Sequence, residues 1–285
     1  VASELLSREA YAERGFAGPE QHGALLIRPG FALHPLQLAQ ARARAAERAG
    51  ARLHARSEIR AWSREGRRHR LETGRGSLRA DRVLLATNGF TPDGLAAPFR
   101  GRAMPVISMI GVTRPLTSEE RALHAWREDG PLCTLRRMLY YVRMLPQDRL
   151  LFGMRGDLSG SQASAEGCAL RLRAHLARFL PGWRDVALDF FWRGPVCMTR
   201  ARRPSIGLLE EDRSVAYAFG WHGSGVNGAT LGGRLAAGLL AGANDDPVPA
   251  PMRGLPPRIP LPGLRRLWLA GALAAYRLRD ALDAR

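Results

Sequence analysis

The 285-residue sequence predicts an α/β protein with an α+β part, in which strand-and-helix segments of parallel-sheet type accompany a second, largely antiparallel sheet. Three observations lead to this fold class. Residues 82–87 form a compact apolar run, as in strands that are buried on both faces of a parallel sheet. Residues 215–221 are also apolar and lead through a glycine-rich loop into a helix-like run. After Pro98, several runs alternate or carry β-branched and aromatic residues, which is typical of antiparallel strands.

The first part of the chain alternates strand and helix signals. Residues 23–34 alternate apolar residues before a Pro-Gly turn, which indicates a strand and a loop. Residues 36–49 have helical spacing, with Pro35 at the start and Gly50 where a helix C-cap would lie. Residues 52–87 are expected to form three or four strands separated by glycine turns.

The middle and end of the chain complete the predicted elements. The runs expected to form the antiparallel sheet are residues 104–116, 138–146, 149–157 and 186–199. Helices are predicted at residues 118–126, 163–179 and 229–240, and a last one at residues 270–282. A stiff, proline-rich connector at residues 247–262 precedes the last helix.

The composition argues against several classes of partner. The formal net charge is +17, but all 43 basic residues are arginine, which indicates a coding bias more than selection for phosphate binding. The densest arginine groups are short and lack interleaved aromatic residues, so no nucleic-acid partner is expected. The longest apolar runs are too short for a membrane span.

The cysteines point to neither a disulfide framework nor a metal site. Cys133, Cys168 and Cys197 are odd in number and far apart, and no C-x-x-C is present. Each is interpreted as structural, and no metal is expected. Together with a charged N-terminal segment that has no apolar signal core, this favours a reducing cytoplasm.

The late glycine loop fits G-x-G-x-x-G. Its residues are Gly223, Ser224, Gly225, Val226, Asn227 and Gly228. A dinucleotide fingerprint requires a second strand and an acidic residue about 20 positions further on. Asp245 and Asp246 fall near that distance but end no predicted strand. Two interpretations are open: a loop whose amides and helix dipole hold an anionic, electron-rich group, or a tight strand-to-helix turn with close packing.

Six stretches, taken in order, resemble one family over nearly the whole chain. They are HPLQLAQARARAAERAGA, ADRVLLATNGF, YYVRMLPQDRLLFGMRGD, FWRGPVCMTRARRPSIG, GWHGSGVNGATLGGRLAAGLLAG and PLPGL. The family is the FAD-dependent amine and amino-acid oxidoreductases of the D-amino-acid oxidase, glycine oxidase and sarcosine oxidase group, and the chain is most similar to the gamma-glutamylputrescine oxidoreductase type. The resemblance implies an incomplete FAD-binding Rossmann-like domain and a largely antiparallel substrate-binding sheet.

The resemblance also implies a domain order. Residues 1–29 would contribute a strand to the substrate domain, 30–98 a partial FAD-binding domain, 99–200 the substrate domain, and 201–285 a return to the FAD-binding domain. The family's first βαβ unit, with its own glycine fingerprint, would lie before the helix that follows His34. Only 33 residues precede His34, so the pyrophosphate-binding half is expected to be missing.

FAD is the cofactor that the resemblance implies. The late glycine loop would lie against the flavin ring, where amides from Ser224 to Gly228 would stabilise the negative charge of the reduced flavin. Thr87, Asn88 and Gly89 would lie beside the dinucleotide at a strand end, with Gly89 permitting close approach. The alternative for these three residues is an Asn-Gly turn that closes a core strand.

The implied reaction is oxidation of the C–N bond of a small-molecule amine or amino acid to an imine, by hydride transfer to flavin. Catalytic side chains remain unknown. Tyr141 and Arg143 share one strand face and could bind a substrate carboxylate, or else be a core-edge tyrosine and a solvated arginine. Trp192 either lines the substrate pocket or packs within the sheet. His222 either approaches the flavin ring or the substrate, or has only a structural role.

A further candidate, Arg155, has less support. Because the family's first half is expected to be missing, two alternatives accompany the enzyme hypothesis. One is a catalytically silent remnant. The other is a subunit of a split enzyme, with a partner chain that supplies the N-terminal half. A sheet that lacks its first strands would also expose an apolar edge, which predicts aggregation or pairing.

Overall fold

The computed structural model describes residues 2–124, 126, 130–158, 160–243 and 247–283. Asp245 and Asp246 lie outside the described residues. The chain divides into two compact units. Unit 1 comprises residues 1–33, 107–194 and 270–285, and unit 2 comprises residues 34–106 and 195–269.

Strands and helices alternate along the described residues. The strands are β1 (Ala2–Leu6), β2 (Ala24–Arg28), β3 (Ala61–Glu65), β4 (Arg68–Thr73), β5 (Gly76–Ala80), β6 (Val83–Leu85), β7 (Met104–Pro115), β8 (Leu132–Cys133), β9 (Tyr140–Leu145), β10 (Arg149–Asp157), β11 (Leu188–Met198), β12 (Ser205–Leu208) and β13 (Val215–Phe219). The helices are α1 (Arg8–Arg14), α2 (Pro35–Arg48), α3 (Ser118–Ala122), α4 (Ala165–Phe179), α5 (Gly225–Ala241) and α6 (Arg265–Asp283).

Unit 1 is built on a five-stranded sheet in the order β11-β7-β10-β9-β8, together with the antiparallel pair β1-β2. Strands β9 and β7 flank β10 in antiparallel register, so that Gly153 lies opposite both Tyr141 and Ile110. The expected antiparallel sheet is therefore confirmed. Side chains alternate between the two faces of the sheet, so one face packs into the core while Tyr141, Gly153 and Arg155 lie on the other.

The core of unit 1 joins the buried sheet face to α4. The buried sheet residues are Met109, Tyr140, Val142, Met144, Leu150, Phe152 and Met154. On α4, Cys168, Leu172, Leu176 and Phe179 recur at helical spacing and are buried in the same cluster. Burying each large apolar side chain stabilises the unit by about 1.5–3 kcal/mol.

Unit 2 contains a sheet in the order β12-β13-β6 and a separate antiparallel meander, β3-β4-β5. Strands β13 and β6 are parallel, with Val215 opposite Val83 and Tyr217 opposite Leu85. The parallel pairing predicted for the compact apolar run is thus confirmed, but the strand is only three residues long, lies at the edge of the sheet, and buries only Leu85 of the three. Because β6 and β13 are parallel, the loops that follow them leave the same edge of the sheet.

Several elements differ from the sequence prediction. Helix α5 begins at Gly225, four residues before the predicted start at Ala229, because the glycines belong to its first turn. Helix α3 ends at Ala122, and residues 52–60 form no strand. Strand β1 and helix α1 were not predicted, because neither is long enough to show a clear period.

The last residues of the chain also differ from the predicted domain order. Residues 201–285 were expected to form one returning segment, whereas residues 270–285 belong to unit 1. The Asp280 carboxylate accepts the backbone amides of Arg137 and Met138, at 2.9 and 2.8 Å. The functional roles of the predicted domains remain predictions.

Candidate functional site

The glycine loop of unit 2 turns sharply between β13 and α5. Gly220, His222 and Gly223 have φ values of +82°, +55° and +104°, which lie in the left-handed region. Glycine adopts this region readily, whereas His222 does so at a cost that the surrounding contacts must offset. The Ser224 amide donates to the Trp221 carbonyl at 2.9 Å and closes the turn immediately before the helix.

The amides of this loop fall into two groups. Ser224 donates to Trp221, and Gly228 donates to the Ser224 carbonyl at 2.8 Å, so these two amides are used within the turn and helix. The amides of Gly225, Val226 and Asn227 belong to the first turn of α5, which has no carbonyl within the helix to accept them. No side chain caps this helix end, and Val226 and Asn227 are exposed. Three donors and the positive end of a 17-residue helix therefore face outward.

The glycine spacing on α5 has a packing cause as well. A Cβ atom on Gly232 would lie 2.2 Å from Cη2 of Trp221, and one on Gly228 would lie 3.0 Å from Cε3. Trp221 is buried, and the helix approaches its indole ring along the face that carries Gly225, Gly228 and Gly232. The loop thus combines the close packing expected of a tight strand-to-helix turn with the outward donors expected of a loop that holds an anionic group.

Asn88, in the loop that follows β6, connects that loop to the glycine loop. The side-chain oxygen of Asn88 accepts the Gly220 amide at 3.0 Å, which links the two loops that leave the parallel strands. Gly89 is close to the end of β11, since a Cβ atom there would lie 3.2 Å from Cβ of Pro195. Thr87 is exposed, and its hydroxyl lies 2.7 Å from that of Thr91. The expected roles of these residues in cofactor contact remain predictions.

His222 is held by contacts with Thr199 and Cys197. Its Nε2 atom accepts the Thr199 amide at 3.2 Å, which places the proton of the neutral ring on Nδ1. Its own amide donates to the Cys197 carbonyl at 3.1 Å. Burial raises the pKa of the Cys197 thiol to about 11, despite a hydrogen bond from Gly220, so this cysteine is a neutral core residue.

Unit 1 brings a polar cluster together on the sheet face that does not pack on α4. Tyr141 lies over Gly153, where a Cβ atom would be 1.9 Å from its ring. Its hydroxyl lies 2.5 Å from the Ser108 hydroxyl and 3.2 Å from the Met109 carbonyl. Burial raises the pKa of Tyr141, with a smaller opposing effect of the Ser108 hydrogen bond, so the phenol is protonated at neutral pH.

Arg155 belongs to the same cluster. Burial lowers its pKa, and the nearby Tyr141, Cys133 and Tyr276 partly oppose this effect. The guanidinium remains charged at neutral pH, because arginine titrates far above it. The result is a half-buried cation beside a phenol, which can bind a carboxylate. Sequence spacing gave Arg155 less support than Arg143. Ser108 and Tyr276 were not predicted, because neither is near Tyr141 in the sequence.

The two other predicted substrate residues in unit 1 lie elsewhere. Arg143 donates to the Leu33 carbonyl at 2.8 Å and lines a cavity that does not include Tyr141. Trp192 lies on β11 and is 46% exposed. The structure therefore pairs Tyr141 with Arg155, and not with Arg143 in one pocket.

The described residues contain neither a metal-binding cluster nor a membrane-spanning helix. No group of three or more His, Cys, Asp or Glu side chains is placed to hold a metal ion. No helix in this part of the chain combines the length and apolar character needed to cross a bilayer. The three cysteines are free thiols.

Comparisons with known proteins agree with the resemblance seen in the sequence. The family model described as FAD dependent oxidoreductase (DAO) matches residues 1–239. Gamma-glutamylputrescine oxidoreductase of Escherichia coli K12 is 29% identical over 282 residues, which cover 98% of this chain and 64% of that protein. Glycine oxidase of Bacillus subtilis 168 is 24% identical over 241 residues, 83% of this chain and 60% of that one.

A solved structure shows the same fold. The crystal structure of glycine oxidase from Geobacillus kaustophilus superposes with a TM-score of 0.73 at 22% identity, covering 90% of this chain and 68% of that one. The predicted combination of helices and antiparallel sheets is confirmed by this likeness. The chain spans about 64% of the length of its Escherichia coli relative.

Proposed function

Because the chain belongs to the FAD dependent oxidoreductase (DAO) family, we propose that it takes part in oxidising the C–N bond of an amine or amino acid to an imine. In this reaction the substrate loses a hydride from carbon and a proton from nitrogen, and water then hydrolyses the imine. FAD, when bound, supplies the hydride acceptor. The chain's own residues would bind the flavin, orient the substrate and exclude water.

The observation that carries this proposal is the outward-facing first turn of α5. The amides of Gly225, Val226 and Asn227 have no acceptor within the helix, and their helix end attracts negative charge. Such a donor set fits the electron-rich end of a flavin ring, because fixed amides stabilise charge that develops there without reorganising. These amide donors match the flavin ring of the cofactor and not its pyrophosphate. The sequence offers no second glycine fingerprint for the pyrophosphate.

The substrate side of the proposal rests on unit 1. Arg155 would bind the carboxylate of an amino-acid substrate, and Tyr141 would position it through its protonated hydroxyl. The hydroxyl of Ser108 and the packing on Gly153 hold the Tyr141 ring in place. Neither side chain is assigned an acid or base role, since flavin amine oxidation depends mainly on orientation.

A flavin titration of two matched variants tests the donor role. Val226→Pro removes one amide of the first helical turn without removing a hydrogen bond of the helix, because that amide has no acceptor within it. Val226→Ala trims the same side chain but keeps the amide. We expect Val226→Pro to weaken flavin binding about tenfold, the value of one hydrogen bond, and Val226→Ala to leave it within about twofold. Fluorescence quenching of added FAD measures both, and circular dichroism checks that each variant is folded.

Equal flavin affinity in the two variants would contradict the donor role of the loop. A folded protein that stays colourless and does not quench FAD would contradict the cofactor proposal and favour the catalytically silent remnant. If flavin binds, amine or amino-acid substrates should bleach its visible absorption under anaerobic conditions, and Arg155→Met should weaken bleaching by carboxylate-bearing substrates most.

A further inference from the structure

Two strand edges in unit 1 border one cavity. Strand β2 pairs with β1 alone, and β8 ends the five-stranded sheet, so each has a free edge among the described residues. All of β2 and both residues of β8 line the same cavity, whose volume is about 1800 Å³. Pockets for small molecules occupy about 300–1,000 Å³. The space is therefore large for a single metabolite and is bordered by backbone that can still form hydrogen bonds.

The cavity contains buried donors without acceptors. Gln21 is 6% exposed, and its Nε2 atom has no hydrogen-bond partner in the described part of the chain. Nε of Arg143 is likewise buried and unpartnered, although Nη1 of the same side chain binds the Leu33 carbonyl. Both side chains line the cavity. Leaving a buried donor unpaired costs about 1–3 kcal/mol, so an occupant that supplies oxygen acceptors would be stabilised here.

The charges around the cavity favour an acidic occupant. Its described lining includes six arginines and four carboxylates, namely Arg28, Arg121, Arg136, Arg137, Arg143, Arg178, Glu20, Asp148, Asp280 and Asp283. Glu20 already pairs with Arg136 and Arg178. Among the described residues, Arg28 and Arg143 have no carboxylate partner, so positive charge remains available.

The free edge of β2 is also apolar. Leu25 and Ile27 point to the same side of the strand and are 53% and 56% exposed. Exposed apolar side chains on an unpaired strand edge are a template for pairing with another strand. An added strand would cover these side chains and pair its backbone with the edge.

From these observations we propose that the cavity of unit 1 is a slot for one extended strand of a second polypeptide, with alternating apolar and acidic side chains. The strand pairs with the edges of β2 and β8 by β-augmentation, and its oxygen atoms accept from Gln21 and Arg143. The proposal concerns a protein partner and does not depend on flavin binding. A negative result for strand binding would therefore leave the proposed oxidoreductase function untouched, and the reverse also holds.

Three labelled peptides of about eight residues, a usual strand length, test the slot. They alternate valine with glutamate, with threonine or with lysine, and fluorescence anisotropy measures their binding to the full chain. We expect the glutamate peptide to bind most tightly and the lysine peptide at least about tenfold more weakly, because the lining carries excess positive charge. Hydrogen exchange should slow at the amides of residues 24–28 and 132–133 when the glutamate peptide is bound.

A matched pair of variants locates the binding. Ile27→Glu places a carboxylate at the β2 edge, whereas Leu78→Glu makes the same change at a residue of β5 that is equally exposed, at 55%. We expect Ile27→Glu to weaken the glutamate peptide at least about tenfold and Leu78→Glu to leave it unchanged. No saturable binding of any peptide up to about 1 mM would overturn the proposal. Protection outside β2 and β8, or equal effects of the two variants, would overturn it too.

Discussion

Trp221 determines at the residue scale which positions of α5 must be glycine. Its indole ring lies so close to the helix that a methyl group at Gly232 would overlap Cη2. Gly233, the next residue, has open space around its Cα atom. Adjacent glycines on one helix therefore have opposite requirements, and the difference comes from a side chain in the preceding loop.

Substituting these two glycines separates packing from helix propensity. Gly232→Ala should destabilise the protein by about 1–3 kcal/mol, because the added methyl group overpacks the site beside Trp221. Gly233→Ala should stabilise it by about 0.5–1 kcal/mol, because alanine is the better helix former in open space. Urea unfolding measures both. Equal free energies of unfolding for the two variants would show that Trp221 moves aside at little cost.

The pairing of Tyr141 also depends on one neighbour. Because Gly153 has no side chain, the Tyr141 ring lies directly against β10 and its hydroxyl reaches Ser108. Sequence spacing had paired Tyr141 with Arg143, two residues along the same strand. The cross-strand register brings Arg155 into the cluster instead.

At the element scale, α3 begins with a complete capping box. The Glu120 amide donates to the Thr117 hydroxyl at 3.2 Å, and the Glu120 carboxylate accepts the Thr117 amide at 2.9 Å. Arg114 adds a bidentate ion pair at 2.6 and 2.8 Å. The Arg114 guanidinium and the Thr117 amide hold the pKa of the Glu120 carboxyl at about 2, against a small opposing effect of burial.

This shift predicts an acid-sensitive contribution to stability. The folded pKa lies below the ordinary value of 4.5, so the contribution is complete above pH 4.5 and is lost as the pH falls towards about 2. Glu120→Gln should lower the free energy of unfolding by about 1 kcal/mol at neutral pH and flatten its decline in acid. Glu119→Gln, on the neighbouring exposed carboxylate, is the control. Parallel curves of unfolding free energy against pH for the wild type and Glu120→Gln would contradict this assignment.

The whole molecule is organised by contacts between residues far apart in the sequence. Asp280, near the end of the chain, is buried and accepts two backbone amides from the segment before β9. This contact places residues 270–285 in unit 1. Asp283, one turn later, pairs with the Arg137 side chain but is exposed.

Alanine substitutions at these two aspartates test that organisation. Asp280→Ala should destabilise the protein by about 2–4 kcal/mol, because it leaves two amides without an acceptor. Asp283→Ala should cost less than about 1 kcal/mol, as exposed ion pairs do. Thermal unfolding at equal protein concentration compares them. A similar loss in both variants would mean that the Asp280 carboxylate does not fasten this segment.

The sequence by itself determined the fold class, the family, most strands and the position of the glycine loop. These features are local: alternation marks the strands, apolar runs mark the buried parallel strands, and glycine marks the turn. The resemblance placed both the loop and residues 87–89 beside the cofactor, and the structure links the two segments, since Asn88 accepts the Gly220 amide.

Only the tertiary structure decided which groups remain available for binding. Two of the five predicted amides are used within the turn and helix, and Arg143 is turned to the Leu33 carbonyl, 110 residues away. Each hydrogen-bond donor goes to whichever acceptor the folded chain brings within reach. That choice depends on partners far apart in the sequence, and no local pattern encodes it.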